Sequence, residues 1–206
     1  MNDRLIRSCF GLSAIASVII LSGCGQKSYQ KQHYILDARR ASSVAASDSG
    51  NVLEIRRFTS NAAFSGKNLI YRAGEFEYES DFYNEFLISP AAMITEKARN
   101  WLSTSGLFQE VLDPGSHVDA THVIEGNVIA LYGDLRTRSQ PTAVMEIRVF
   151  LLEIGPGRDP VIVFGKTYKS SVVLESESPG GLVSALDRCL VEILTNLEED
   201  LAERLL

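Results

Sequence analysis

The chain is short of cysteine, histidine and concentrated positive charge, and each shortage closes off a class of function. Of its 206 residues only 3 are Cys and 3 are His. A structural zinc centre takes four Cys or His ligands. The nearest arrangement is His117 and His122 flanking Asp119, with no cysteine at hand to complete it. Twenty Lys and Arg stand against 26 Asp and Glu, a net charge of −6. Such a body lacks the basic face that nucleic acid demands, and equally the basic cluster that attaches proteins to anionic head groups. Catalytic motifs are missing too. There is no Gly-x-Ser-x-Gly elbow, no phosphate-binding Gly-x-x-x-x-Gly-Lys-Ser/Thr loop, no Gly-x-Gly-x-x-Gly and no His-Glu-x-x-His. Gly155-Pro156-Gly157 reads as a hairpin turn, because prolines stiffen it and no helix follows to offer its N-terminus to a phosphate. No serine is singled out as partner to any histidine. The reading is a non-enzyme with no catalytic residue, no metal and no cofactor.

The chain also lacks an apolar run long enough to cross a bilayer. The longest, Phe10 to Leu21, is about a dozen residues against the roughly 20 a spanning helix needs. Its surroundings give it another meaning. Arg4 and Arg7 precede it, Ser22 and Gly23 follow it, and Cys24 stands at the junction. Leu21-Ser22-Gly23-Cys24 resembles the lipobox of bacterial lipoproteins, where cleavage before the cysteine leaves a thiol that carries diacylglycerol. The resemblance implies a signal peptide over 1–23, lipid attachment at Cys24 and a mature chain of 183 residues, sufficient for one domain. Removing Arg4, Arg7 and Asp3 takes away a net +1, so −6 becomes −7. Two or more acyl chains hold a protein stably at a membrane, whereas one alone binds marginally. Gly25, where enteric-type lipoproteins retained at the inner membrane usually carry Asp, implies the outer membrane. Cys9 leaves with the signal peptide and Cys24 becomes a thioether, so Cys189 has no partner for an intramolecular disulfide. It falls on an apolar helix face and reads as a buried structural thiol.

Residues 24–32 read as a lipidated tether, polar and without periodicity, and 33–206 as one folded domain. A short strand is expected from His33 to Asp37, then a surface loop over 38–50 and a strand over Val52–Phe58. Leu69–Arg72 and Glu75–Glu79 form an expected hairpin around Ala73-Gly74, placing Phe76 and Tyr78 on one side and glutamates on the other. Ser89 to Ser105 predicts a helix, with Ser89 as cap, Pro90 at the first position and Gly106 just past the end. Its stripe is Ala91, Ile94, Ala98, Trp101 and Leu102, with Trp101 anchored in the core. After a short strand over Phe108–Leu112, three longer runs at about 121–132, 142–154 and 161–174 predict an antiparallel meander. Ala143, Met145, Ile147, Val149 and Leu151 share one face of the middle run. From Ser178 a final helix buries Leu182, Ala185, Leu186, Cys189, Leu190, Ile193, Leu197 and Leu201. Its late acids, Glu198, Glu199, Asp200 and Glu203, suit either a solvated face or a basic docking partner. The expected fold class is α+β: a mainly antiparallel sheet with two long helices packed on it.

Aromatic and apolar residues crowd the stretch from Tyr71 to Ile88. Core packing and an exposed contact surface are both open there, since interface centres favour Tyr and Phe. The partner-binding candidates are Tyr71, Phe82, Tyr83 and Phe86. The order Tyr34-Ile35-Leu36, Val52-Leu53-Glu54-Ile55 and Leu69-Ile70-Tyr71-Arg72 resembles the ABC-type transport auxiliary lipoproteins (PqiC-like). So does the passage through a Glu- and aromatic-rich segment and Pro90 into a helix closing on Gly106-Leu107-Phe108. The resemblance spans about 33–200. It implies a non-enzymatic auxiliary component of a lipid transport system, lipid-anchored on the periplasmic face of the outer membrane. Its partners would be an MCE-family periplasmic protein with its ABC permease and ATPase, and a homo-oligomer is compatible with the role. The alternatives are a structural or assembly lipoprotein for outer-membrane or cell-wall machinery, and a periplasmic hydrolase, which would need a pocket holding a perturbed acid or base.

Overall fold

The computed structural model describes residues 30–46, 48–155 and 157–205. The expected signal peptide, Cys24 and tether residues 25–29 lie outside them. In chain order the elements are β1 (Gln32–Tyr34), β2 (Val52–Ile55), β3 (Thr59–Ser60), a 3₁₀ turn (Ala62–Phe64), β4 (Asn68–Arg72), β5 (Tyr78–Phe86) and α1 (Pro90–Ser103). There follow β6 (Glu110–Val111), β7 (His122–Asp134), β8 (Thr142–Glu153), β9 (Val161–Val173) and α2 (Pro179–Leu205). Lys31–Leu206 forms one compact unit.

Among the described residues one sheet of nine strands carries two long helices, as expected of an α+β domain. Strand β7 is its spine. Antiparallel β8 runs along one edge from His122↔Glu153 to Asp134↔Thr142, and β9 pairs antiparallel with β8 in turn. This is the expected meander. On the other edge β2, β3 and β4 join β7 one after another, each parallel to it. Residues 52–72 thus behave as one interrupted strand.

The sheet is therefore mixed, which corrects the expectation of a mainly antiparallel one. Five pairings are parallel (β1–β5, β2–β6, β2–β7, β3–β7 and β4–β7) and three antiparallel (β4–β5, β7–β8 and β8–β9). Short turn-rich connections betray antiparallel neighbours only. The parallel partners of β7 arrive from across a helix and several loops, which a local pattern cannot register.

The core lies between the sheet and the two helices. Ala143, Met145, Ile147, Val149 and Leu151 are each at most 1% exposed. Facing them, all eight expected positions of the α2 stripe are buried, joined by Val183 and Leu194. The Cys189 thiol donates to Ala143 O at 3.7 Å, and burial pushes its pKa up, as befits an inert structural cysteine. The Ser178 hydroxyl accepts the Gly181 N–H at 3.1 Å and caps α2.

Helix α1 begins at Pro90, but the Ser89 hydroxyl makes no cap hydrogen bond. It stops at Ser103, two residues early, where the Ser103, Thr104 and Ser105 hydroxyls turn back onto the carbonyls of Asn100, Trp101 and Leu102. Gly106 then takes φ +76° beneath the 44–45 loop, where a Cβ would lie 2.8 Å from Ala45 O. Strand β2 ends at Ile55 rather than Phe58, because the Phe58 N–H leaves the sheet and donates to Thr95 Oγ1 on α1 at 2.9 Å. The Phe58 ring lies over Gly126, where a Cβ would come within 2.5 Å of it.

Candidate contact surface at the sheet edge

Strand β5 is longer and later than the hairpin arm predicted from the acid–aromatic alternation. Glu75 to Glu77 belong to the connection, closed by the Ala73 and Gly74 N–H groups donating to Glu77 O. Phe76 consequently sits in that connection, 90% exposed, and shares no covered face with Tyr78. Tyr78 instead joins an aromatic group with Phe64 and Tyr132, its ring 5.5 Å from that of Tyr132.

Farther along, the β4–β5 ladder jumps. Ile70 pairs with Ser80 and Asn68 with Glu85, so Leu69 alone faces Asp81 to Asn84. The surplus residues bulge outward. Asp81 closes the bulge: Oδ1 accepts the N–H groups of Tyr83 and Asn84, both at 2.9 Å, and Oδ2 accepts Asn84 Nδ2 at 2.9 Å. Asn68 Nδ2 donates to Asp81 O at 2.7 Å and ties the bulge to β4. At its tip stand Phe82 and Tyr83, edge to face at 5.1 Å, 68% and 44% exposed.

Strand β1 lies parallel beyond the bulge, with Gln32 opposite Asn84 and Tyr34 opposite Phe86. The folded unit therefore begins beside these rings. Lys31 Nζ is 5.3 Å from the Phe82 ring centre and 2.9 Å from Glu85 Oε2, and His33 Nε2 meets Glu85 Oε1 at 3.1 Å. The Lys31 hydrogen bond holds the Glu85 carboxyl below its ordinary range, with His33 assisting. Ile35 and Leu87 continue the exposed apolar edge.

The four sequence candidates separate. Phe82 and Tyr83 share the bulge tip. Phe86 is 1% exposed and belongs to the core, which corrects its reading as a contact residue. Phe82 and Phe86, four apart, would share a face in a regular strand; the bulge resets the alternation, so Phe86 points inward and Phe82 does not. Tyr71 is partly buried against Gly133, and its hydroxyl pKa is pushed up to about 12 by burial, with Asp81 and Tyr34 nearby. Ile35 escaped the sequence reading. The Asp81-x-x-Asn84 spacing was the available signal, since Asp and Asn bind nearby backbone N–H groups and mark turns inside strands.

Other charged groups are engaged within the fold. Glu198 accepts Arg40 Nη2 at 2.9 Å and Trp101 Nε1 at 2.7 Å. Asp200 accepts Lys166 Nζ and the Tyr168 hydroxyl, both at 2.6 Å. Two of the four late acids on α2 are thus used internally. A groove beside α1 holds Arg56, Arg57 and Arg99 but also Glu54, Glu96 and Asp113, so its lining has no net sign. Among the described residues no three His, Cys, Asp or Glu converge as a metal-ligand set.

His122 is half-buried, its Nδ1 2.9 Å from Thr121 Oγ1. Burial lowers its pKa from 6.5, against the opposing pull of Glu153. Protonation then costs more in the folded chain than in the unfolded one. The stability it contributes is complete above pH 6.5 and is lost as pH falls below that value. The urea midpoint is expected to drop between about pH 7 and about pH 5.5, and His122→Gln is expected to flatten that slope. An unchanged slope in the variant would assign the effect to other groups.

The fold has solved counterparts. A Xanthomonas campestris protein of the DUF330 family superposes with a TM-score of 0.62 at 15% identity, covering 82% of this chain and 91% of its own. An uncharacterised protein gives 0.66 at 12% identity, over 83% and 98%. A Chlamydia trachomatis hypothetical protein gives 0.50 at 14%, over 74% and 98%. At these identities the likeness is one of fold. No protein-family model and no curated protein matches the sequence.

Proposed function

We propose that this protein is a lipid-anchored component of the bacterial envelope, non-enzymatic, serving as an auxiliary lipoprotein of an ABC/MCE-type lipid transport system. It stands on the periplasmic face of the outer membrane and docks the MCE assembly there. The observation that carries the reading is where the folded unit begins. The unit starts at Lys31, seven positions after the lipobox cysteine, so the body is held close to the membrane that carries the anchor. Elsewhere Arg40–Glu198, Arg136–Asp134 and Lys166–Asp200 are ion pairs within the fold. The element order from Tyr34 to Phe108 supports the choice of family, because those residues build β1, β2, β4, α1 and the turn that follows it. Among the described residues no helix is long and apolar enough to cross a membrane; in this reading the anchor is Cys24.

Purification of the full-length protein from detergent-solubilised native membranes tests the role. An MCE-type protein is expected in the eluate, together with its permease and ATPase. Consistent recovery of the lipoprotein without any of them would overturn the transport assignment.

A further inference from the structure

A tethered domain cannot present every surface equally, and here the tether enters at the aromatic edge. Seven residue steps lead from Cys24 to Lys31. Fully extended they span about 25 Å, at roughly 3.3–3.6 Å per residue. Strand β9 lies four strand spacings from β5 (β5–β4–β7–β8–β9), about 19 Å across the sheet at roughly 4.8 Å per spacing. The tether therefore joins the body at the bulge edge, with β9 four strand spacings farther across the sheet.

The chemistry of that edge matches a lipid surface. Phe82 is an apolar ring held out into solvent, and Tyr83 adds a ring with a polar hydroxyl. Such side chains settle at the boundary between head groups and acyl chains, where one end is apolar and the other wet. Ile35 and Leu87 widen the apolar area. The two carboxylates nearest the rings are engaged, while Glu75, Glu77 and Glu79 lie exposed before the bulge. The Asp81 carboxylate is taken up inside the bulge, and Glu85 is paired with Lys31 and His33. Lys31 can lay its stem along the Phe82 ring and keep its ammonium among the head groups. The hydrogen bonds of Asp81 hold the backbone that carries the rings, so contact requires little further ordering of the chain.

We propose that the Phe82–Tyr83 bulge, flanked by Ile35 and Leu87, is a bilayer-contacting surface that rests in the membrane holding the lipid anchor. The inference depends on the anchor reading at Cys24. It assigns Phe82 and Tyr83 to lipid rather than to a protein partner, leaving partners to the surfaces that face away from the membrane.

The test places tryptophan reporters on the full-length protein isolated from native membranes and bound to phosphatidylcholine vesicles with brominated acyl chains. Trp101, 5% exposed in the core, supplies an unquenched background. Phe82→Trp is compared with Ile162→Trp on the far strand, which is 59% exposed in the wild type. Flotation reports the anchor and quenching reports the surface. The expected result is flotation of both variants, with a blue shift and loss of most of the added emission for Phe82→Trp only. Flotation with equal quenching of the two reporters overturns the bilayer assignment and leaves the anchor intact. Failure of both variants to float overturns the anchor reading, and the inference falls with it.

Discussion

Replacing Cys24 by Ser is expected to transfer the protein from the membrane fraction to the soluble fraction without changing its melting temperature. On the proposed reading the thiol carries acyl chains that contribute about 0.8 kcal/mol per buried CH₂, and a hydroxyl cannot accept them. Two exposed rings cannot substitute for that anchorage, since one acyl chain, with far more buried CH₂, already binds only marginally. The folded unit begins at Lys31, so its packing has no need of the lipid. Ultracentrifugal fractionation beside a thermal melt measures both halves of the expectation. Cys24→Ser protein that still sedimented with membranes would reveal another attachment, and a lowered melting temperature would show that the N-terminal segment contributes to the fold.

Phe86→Ala is expected to cost about 3–5 kcal/mol, the range for deleting a buried aromatic side chain, whereas Phe82→Ala should stay within about 0.5 kcal/mol, as exposed substitutions do. The two residues lie four apart on the same strand and differ only in what the bulge does between them. Phe86 lies opposite Tyr34 of β1 and belongs to the core, and removing its ring leaves a cavity that its neighbours fill only in part. Urea unfolding at constant m-value would read the difference directly. Similar losses for the two substitutions would mean that the bulge is not as described and that Phe82 is packed.

That pair also shows where sequence reading runs out. The long elements were legible because their burial repeats many times: five alternate positions of β8 and eight of the α2 stripe are all buried as expected. Trp101 was legible as a core residue, but its partner Glu198 was not, because they lie 97 residues apart. The parallel pairings of β2, β3 and β4 were invisible for the same reason, each strand being too short to show a period and each finding its partner far along the chain. The contact surface was half legible. Aromatic density pointed to the right stretch, but which rings face outward depends on a bulge that shifts the alternation after Ser80. The cavity over Gly126 that receives Phe58 follows from the packing of α1 on the sheet and left no local trace. Cys24 stands at the other extreme, since its assignment comes entirely from the sequence pattern.

The position of β7 sets the order in which the molecule can form. A chain made amino end first delivers β2, β3 and β4 with about fifty residues still to come before their common partner emerges; until then β4 has β5 and β2 has β6 to pair with, but nothing links the two. Closure is a late event that begins only when residues 122–134 are released. A nascent fragment ending before His122 can form the β1–β5–β4 ladder and the β2–β6 pair but lacks the strand that joins them into one sheet. Truncation from the carboxyl end is the damage this architecture withstands least.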